Sequence, residues 1–241
     1  KVEVIAGGAY KLEIPDGETL YAEGVVLRPF LQRFMYKKFI KGNENTANRF
    51  LKTVMANNLN SDMKDNEGGF NCGKPAGYIK DWAALPDNMK DLIKSIKRVR
   101  ALFGTVQLVG ATDEKGNAVE VDATPFIWEI DNRDAFKTMG DMFTKLEKMR
   151  RLPPQHNITL STREVPLPNG SSFFVPEAEL DLSTTLEMEN EAQEVFASFI
   201  AWIANYNTYI LGAWDENMHK NEEVDMDTVE EFVDITAEDF V

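Results

Sequence analysis

Basic and aromatic residues are interleaved between residues 28 and 52, a combination that suits the binding of single-stranded nucleic acid. The window holds seven Lys or Arg residues and five Phe or Tyr residues, against one acidic residue, Glu44. Cations can follow the phosphates while flat rings stack on bases, at roughly 1–3 kcal/mol per stacked base. We predict such contacts for Arg28, Arg33, Tyr36, Lys37, Lys38 and Lys41. A place in the core is the alternative for each ring, Tyr36 and Phe39 included.

A second set of cations and rings lies in the glycine-rich segment that follows. Between Leu59 and Pro86 the hydrophobic pattern is lost, and the glycines together with Pro75 indicate a long loop. Loops of this length inside a domain are usually functional or disordered, and the aromatic content argues against disorder. We predict nucleic-acid contacts for the rings and cations of this loop, which are Phe70, Lys74, Tyr78, Lys80 and Trp82.

A third basic cluster coincides with a helix predicted over residues 87–98, with Asp87 as its cap. Lys90, Lys94 and Lys97 share one helix face by their spacing of three and four. We predict phosphate contacts for Lys94, Lys97, Arg98 and Arg100. A solvated helix face is the alternative.

The sequence offers little for catalysis. It contains no phosphate-binding loop, dinucleotide fingerprint, nucleophile elbow or zinc-protease motif, and it has two histidines and one cysteine. Glu129 and Asp131 could place carboxylates as metal-dependent nucleases do, but a capping role for Asp131 at the next helix explains that residue without metal. We therefore predict a protein that is not an enzyme and that holds no metal or cofactor.

Charge is distributed very unevenly along the chain, whose formal net charge is −14. Residues 1–170 carry 25 Lys or Arg and 22 Asp or Glu, whereas residues 171–241 carry one Lys and 18 acids. A basic body with an acidic end is typical of nucleic-acid contact combined with an interaction tail, although acidic ends also keep proteins in solution. We expect residues 215–241 to be a disordered acidic tail.

The order of predicted elements favours an α+β fold with mainly antiparallel strands and two or three helices. Alternating runs separated by Gly, Pro and Asn turns indicate strands, and residues 133–151 are predicted to form an amphipathic helix. Two strands, a helix and two further strands in the middle of the chain match the order of an oligonucleotide-binding barrel. We divide the chain into a β-rich core (1–187), a docking helix (188–214) and the tail (215–241).

A mildly basic body followed by an acidic arm ending Glu238-Asp239-Phe240-Val241 resembles the single-stranded DNA-binding proteins of tailed bacteriophages and bacteria. The resemblance implies protection of transient single strands in replication and recombination. It also implies recruitment of partner proteins by the acidic tip, here Phe232, Asp239 and Phe240. In this chain Val241 follows the aromatic residue on which the family usually ends.

The sequence also bears on the location of the protein and on alternative functions. No apolar run reaches the roughly 18 residues that a membrane helix needs, the first residues lack a signal pattern, and a single Cys fits a reducing setting. We expect no membrane contact and a cytoplasmic location, in the host if a phage encodes the chain. The main alternative is a virion or assembly adaptor that forms homo-oligomers through residues 188–212. An acidic decoy that imitates DNA is a further alternative.

Overall fold

The chain folds into two compact units, each assembled from separate stretches of sequence. The computed structural model describes residues 1–5, 7–15, 17–75, 79–168 and 170–233, of which 221–233 are described by backbone alone. Unit 1 comprises Lys1–Phe34 and Val99–Trp202, and unit 2 comprises Met35–Arg98 and Ile203–Val241. The boundaries fall inside two strands and one helix, through which the chain passes from one unit to the other.

The described residues are α+β, with mostly antiparallel strands and three α-helices. The strands are β1 (Val2–Val4), β2 (Tyr10–Glu13), β3 (Thr19–Ala22), β4 (Gly24–Ile40), β5 (Arg49–Lys52), β6 (Ile96–Val109), β7 (Thr124–Ile130), β8 (Ile158–Pro166) and β9 (Ser172–Leu180). The helices are α1 (Asp87–Ser95), α2 (Arg133–Lys148) and α3 (Asn190–Val233).

The described strands form two sheets. The small sheet has the order β1-β2-β3, and the large sheet has the order β7-β6-β4-β8-β9, with β5 paired to β4. Within the described residues the large sheet is an open path that begins at β7 and ends at β9. The long strand β4 therefore supplies both a central position of this sheet and one arm of the β4–β5 hairpin.

The core of unit 1 is built from alternating strand residues and one face of α2. Tyr10, Leu27, Leu102 and Trp128 are buried together with Met139 of that helix. The Asn132 side chain accepts hydrogen bonds from the backbone N–H groups of Asp134 and Ala135, which caps α2. The cap expected at Asp131 is therefore one residue further along the chain.

Helix α1 is shorter than its lysine spacing predicts. It begins at Asp87, with Pro86 rather than Asp87 in the capping position, and it ends at Ser95 because Ile96 opens β6. Lys97 and Arg98 consequently lie on a strand, so the predicted helix face shared with Lys90 and Lys94 does not include Lys97.

Helix α3 extends beyond the segment predicted as a docking helix. It continues through residue 214 and ends at Val233, so the first part of the expected disordered tail has a helical backbone. Phe232 is described by its backbone alone, and Asp239 and Phe240 lie outside the described residues. In the described part of the chain, no helix combines the length and apolar character needed to cross a membrane.

Candidate nucleic-acid interface

The β4–β5 hairpin of unit 2 has one buried face and one exposed face. Lys37 pairs with Lys52 and Phe39 pairs with Phe50 across the two antiparallel strands. Side chains two residues apart, and side chains directly opposite each other, share a face of the hairpin. Lys37, Phe39, Phe50 and Lys52 therefore form one surface, which we call the hairpin face.

The opposite surface of the same hairpin enters the core of unit 2. Tyr36 and Leu51 are buried there with Met63, Cys72 and Ile96. Since the side-chain period of a strand is two, Phe39 lies on the face opposite that of Tyr36. Phe39 is 50% exposed and Phe50 is 46% exposed, although both are large apolar side chains.

Cations lie against the exposed rings of the hairpin face. The Phe39 and Phe50 ring centroids are 5.2 Å apart with their planes tilted by 57°. The Lys37 ammonium lies 4.7 Å from the Phe50 centroid, and the Lys52 ammonium lies 5.9 Å from it. Adjacent rings and ammonium groups are the two elements that single-stranded nucleic acid requires, the rings for bases and the cations for phosphates.

The turn of the hairpin is closed by polar side chains and adds a cation. The Gly42 N–H donates to Asn48 Oδ1 at 2.9 Å, and the Asn43 N–H donates to Thr46 Oγ1 at 3.1 Å. Lys41 and Arg49 are exposed at this end, and Arg49 pairs with Glu67 at 2.6 Å. The hairpin end is therefore closed by hydrogen bonds, and beside the Arg49–Glu67 pair it carries Lys41 and Glu44.

A tight loop follows β5 and is organised around the buried carboxylate of Asp65. Its Oδ1 accepts hydrogen bonds from the N–H groups of Glu67 and Gly69 at 3.1 and 3.0 Å, and its Oδ2 accepts one from Cys72 at 3.2 Å. Gly68 has φ of +86°, a conformation that favours glycine. This loop presents Phe70, whose ring is 46% exposed.

Phe70 meets a tryptophan and a lysine at the loop, and we call Lys64, Phe70 and Trp214 the loop site. Lys64 and Phe70 are bridged as an antiparallel pair. The Phe70 and Trp214 rings meet edge to face at 5.8 Å, and the Lys64 ammonium lies 3.5 Å from the indole centroid. The indole Nε1–H donates to the Gly69 carbonyl at 3.0 Å, which fixes the indole orientation.

Polar side chains of α3 hold the helix against the loops of unit 2. Asn207 accepts from the Met55 N–H at 2.7 Å and donates to the Met55 carbonyl at 3.0 Å. The Tyr206 hydroxyl donates to the Thr53 carbonyl at 2.9 Å, and Asn217 Nδ2 donates to the Asn66 carbonyl at 3.0 Å. The described part of α3 thus supports the surface that carries both sets of rings.

Several predicted contact residues are solvent-accessible in unit 2. Lys41, Lys80, Trp82, Lys94, Lys97 and Arg98 are exposed, and Lys37, Lys38 and Lys74 are half-buried. The Lys94 ammonium lies 3.6 Å from Asp91 Oδ1, and the Lys74 ammonium lies 5.5 Å from the Tyr36 ring centroid. Tyr78 lies outside the described residues.

Two predicted contact residues are buried, and the prediction is corrected for both. Tyr36 is 4% exposed and belongs to the core of unit 2, so its ring has no free face for a base. Arg100 is 7% exposed in unit 1, where its guanidinium lies 4.9 Å from the Phe34 centroid and 4.5 Å from the Phe136 centroid. Burial lowers the pKa of Arg100 to about 10.

Arg28 and Arg33, both in unit 1, donate hydrogen bonds to backbone carbonyls. Arg28 donates to the carbonyls of Pro154 and Glu187, and Arg33 donates to the carbonyl of Gln32 at 2.9 Å. Burial lowers the pKa of both guanidinium groups. The Arg28 contacts connect β4 to two distant segments of unit 1, which is a structural role.

The hairpin face includes residues that are not among the contacts predicted from the sequence. Phe39, Phe50 and Lys52 were visible in the basic and aromatic window, but without the register their faces could not be assigned. The signal that could have found them is the odd spacing between Tyr36 and Phe39, which places the two rings on opposite faces of the strand. At the Glu129 and Asp131 positions, no group of three or more candidate metal ligands occurs among the described residues.

The buried thiol of Cys72 gives a test of this loop. Burial, with the nearby Asp65 carboxylate, raises its pKa from an ordinary value of 9 to about 12. Because the thiolate is the reactive form, we expect native protein at pH 8 to react with a thiol reagent about a thousandfold more slowly than urea-unfolded protein.

The same raised pKa makes stability depend on pH. Above pH 9 the Cys72 thiol loses its proton in the unfolded chain but keeps it in the folded protein, so the free energy of unfolding should fall by about 1.4 kcal/mol per pH unit toward pH 12. Cys72→Ala should remove that component, and rapid labelling of the native protein would contradict the loop structure.

Comparison with known proteins adds no relative. No protein-family model matches the chain, and no match was found among curated proteins or solved structures.

Proposed function

We propose that this chain binds and protects single-stranded DNA in replication or recombination, without catalysing a reaction. The observation that supports this function best is the hairpin face, where two exposed phenyl rings lie beside two ammonium groups. Every base has a π-face, so such a surface binds strands with little dependence on sequence. Duplex DNA keeps its bases stacked and paired, and it would leave these rings unused.

The acidic end of the chain has a separate role in this function. We place partner recruitment at Phe232, Asp239 and Phe240, in keeping with the resemblance to phage and bacterial single-stranded DNA-binding proteins. The barrel expected from the element order stays a prediction, since the large sheet is an open path in the described residues. Binding through the hairpin face does not require a closed barrel.

Fluorescence anisotropy with a labelled oligothymidylate tests the function directly. Affinity should fall with salt, with a slope of log K against log salt of about −2 to −3 if three or four phosphates are contacted. A chain that ends after Lys220 is the appropriate tail-free form, because it keeps the Asn217 contact with Asn66 and removes nine acidic residues. Absence of binding at low salt by both forms would exclude the proposed function.

A role as an assembly adaptor is the second candidate, and α3 is the feature that favours it. The helix exposes Ile200, Trp202, Tyr209 and Leu211, which are large apolar side chains. Stable oligomers in sedimentation velocity that are unaffected by oligothymidylate would support this candidate.

A further inference from the structure

The loop site has the features of a second position for a base. Phe70 exposes 46% of its surface, while its edge-to-face contact with Trp214 at 5.8 Å holds the ring in place. We propose that one strand of nucleic acid places its first bases on the hairpin face and a further base at the loop site, which is then a second subsite. This second subsite rests on the proposed function.

Asn66 connects the loop site to the hairpin face. Its backbone N–H donates to the Lys52 carbonyl at 3.1 Å, and its Oδ1 accepts from the Lys52 N–H at 2.8 Å. Its Nδ2 donates to the Phe50 carbonyl at 3.3 Å. The loop that presents Phe70 is therefore hydrogen-bonded to the strand that presents Phe50 and Lys52, and one strand of nucleic acid can use both surfaces.

The chemistry of the loop site selects a nucleotide over an apolar peptide. The Lys64 ammonium lies 3.5 Å from the Trp214 centroid, and Lys64 is paired with Phe70 by an antiparallel bridge. An apolar side chain gains nothing from this cation, whereas a nucleotide offers both a flat base and a phosphate. Phe70 is then the stacking surface, and Lys64 and Trp214 position it.

Binding of oligothymidylates of increasing length, from 4 to about 20 nucleotides, separates the two surfaces. Phe70→Leu keeps apolar contact with Trp214 but removes the flat ring, and Phe70→Tyr keeps the ring. We expect Phe70→Leu to bind the shortest oligonucleotides like the parent protein and to lose about tenfold in affinity for the longest. Phe70→Tyr should bind every length normally. Urea denaturation of both variants verifies that the fold is kept.

The outcomes distinguish this subsite from the proposed function itself. If Phe70→Leu binds all lengths normally while substitutions on the hairpin face weaken binding, the second subsite is wrong and the proposed function stands. If substitutions on neither surface alter binding, neither surface contacts the strand and the second subsite is wrong, whereas the proposed function fails only if the parent protein does not bind oligothymidylate at all. If Phe70→Leu is unstable, UV crosslinking of the parent protein to a 20-nucleotide oligothymidylate decides, because a crosslinked peptide containing Phe70 is required.

Discussion

Replacing Phe39 and Phe50 together by alanine should weaken oligothymidylate binding at least about thirtyfold, since each lost stacking contact costs roughly 1–3 kcal/mol. Both rings are about half exposed, so their removal leaves the core of unit 2 intact. Circular dichroism should be unchanged, because a cross-strand aromatic pair contributes less than about 1.5 kcal/mol to folding. The salt slope should be unchanged as well, because the cations remain.

Two further variants decide whether such a loss is specific to the hairpin face. Lys37→Gln with Lys52→Gln should lower the magnitude of the salt slope by about 1.4 while leaving the rings in place. Tyr209→Ala removes an exposed ring from α3, 69% accessible, and should leave affinity unchanged. An equal loss of affinity in Tyr209→Ala would show that the hairpin face is not the binding surface.

The sequence predicted the class of fold because local patterns determine it. The Asp113–Asn117 turn, with Gly116 at φ of +82°, and the amphipathic face of α2 follow from residues that are close together in the chain. The exposure of Phe39 depends instead on the pairing of β4 with β5 and on which side of the hairpin faces the core. The alternation of side chains along a strand assigns residues to two faces, but it does not determine which face is buried.

The burial of Arg100 could not be predicted from the residues next to it in the sequence. It belongs to a run of basic residues that predicts a phosphate-binding surface, yet its guanidinium lies against two phenyl rings from distant parts of unit 1. Gly140 makes room for it inside α2, since a Cβ there would lie 2.8 Å from Arg100 Nη2. Glycine in a helix interior costs up to about 1 kcal/mol of stability. The presence of Gly140 in α2 is explained by the space that the buried Arg100 side chain needs. The discontinuous composition of the two units has the same origin in contacts between distant segments.

Replacing Asp65 by alanine should destabilise the loop of unit 2 by about 3 kcal/mol, since three backbone N–H groups lose their acceptor. Asp65 is 2% exposed, so water cannot easily replace its carboxylate. The bond from the Cys72 N–H lies in a segment where Asn71 and Cys72 have φ of 54° and 57°, a left-handed conformation that costs of order 1 kcal/mol or more per residue outside glycine. Urea denaturation and amide exchange of residues 65–73 measure the effect.

Asp113 provides the matched control, because its carboxylate accepts from the N–H groups of Lys115 and Asn117, each at 2.8 Å, in an exposed turn. Water can replace a lost acceptor there, so Asp113→Ala should cost less than about 1 kcal/mol. Equal stability of the two variants would show that burial of Asp65 does not support the loop. If Asp65→Ala is the less stable variant and also loses affinity for long oligothymidylates, the position of Phe70 depends on a carboxylate that itself touches no nucleic acid. The loop site would then be built by the folding of this loop, with Asp65 as its central acceptor.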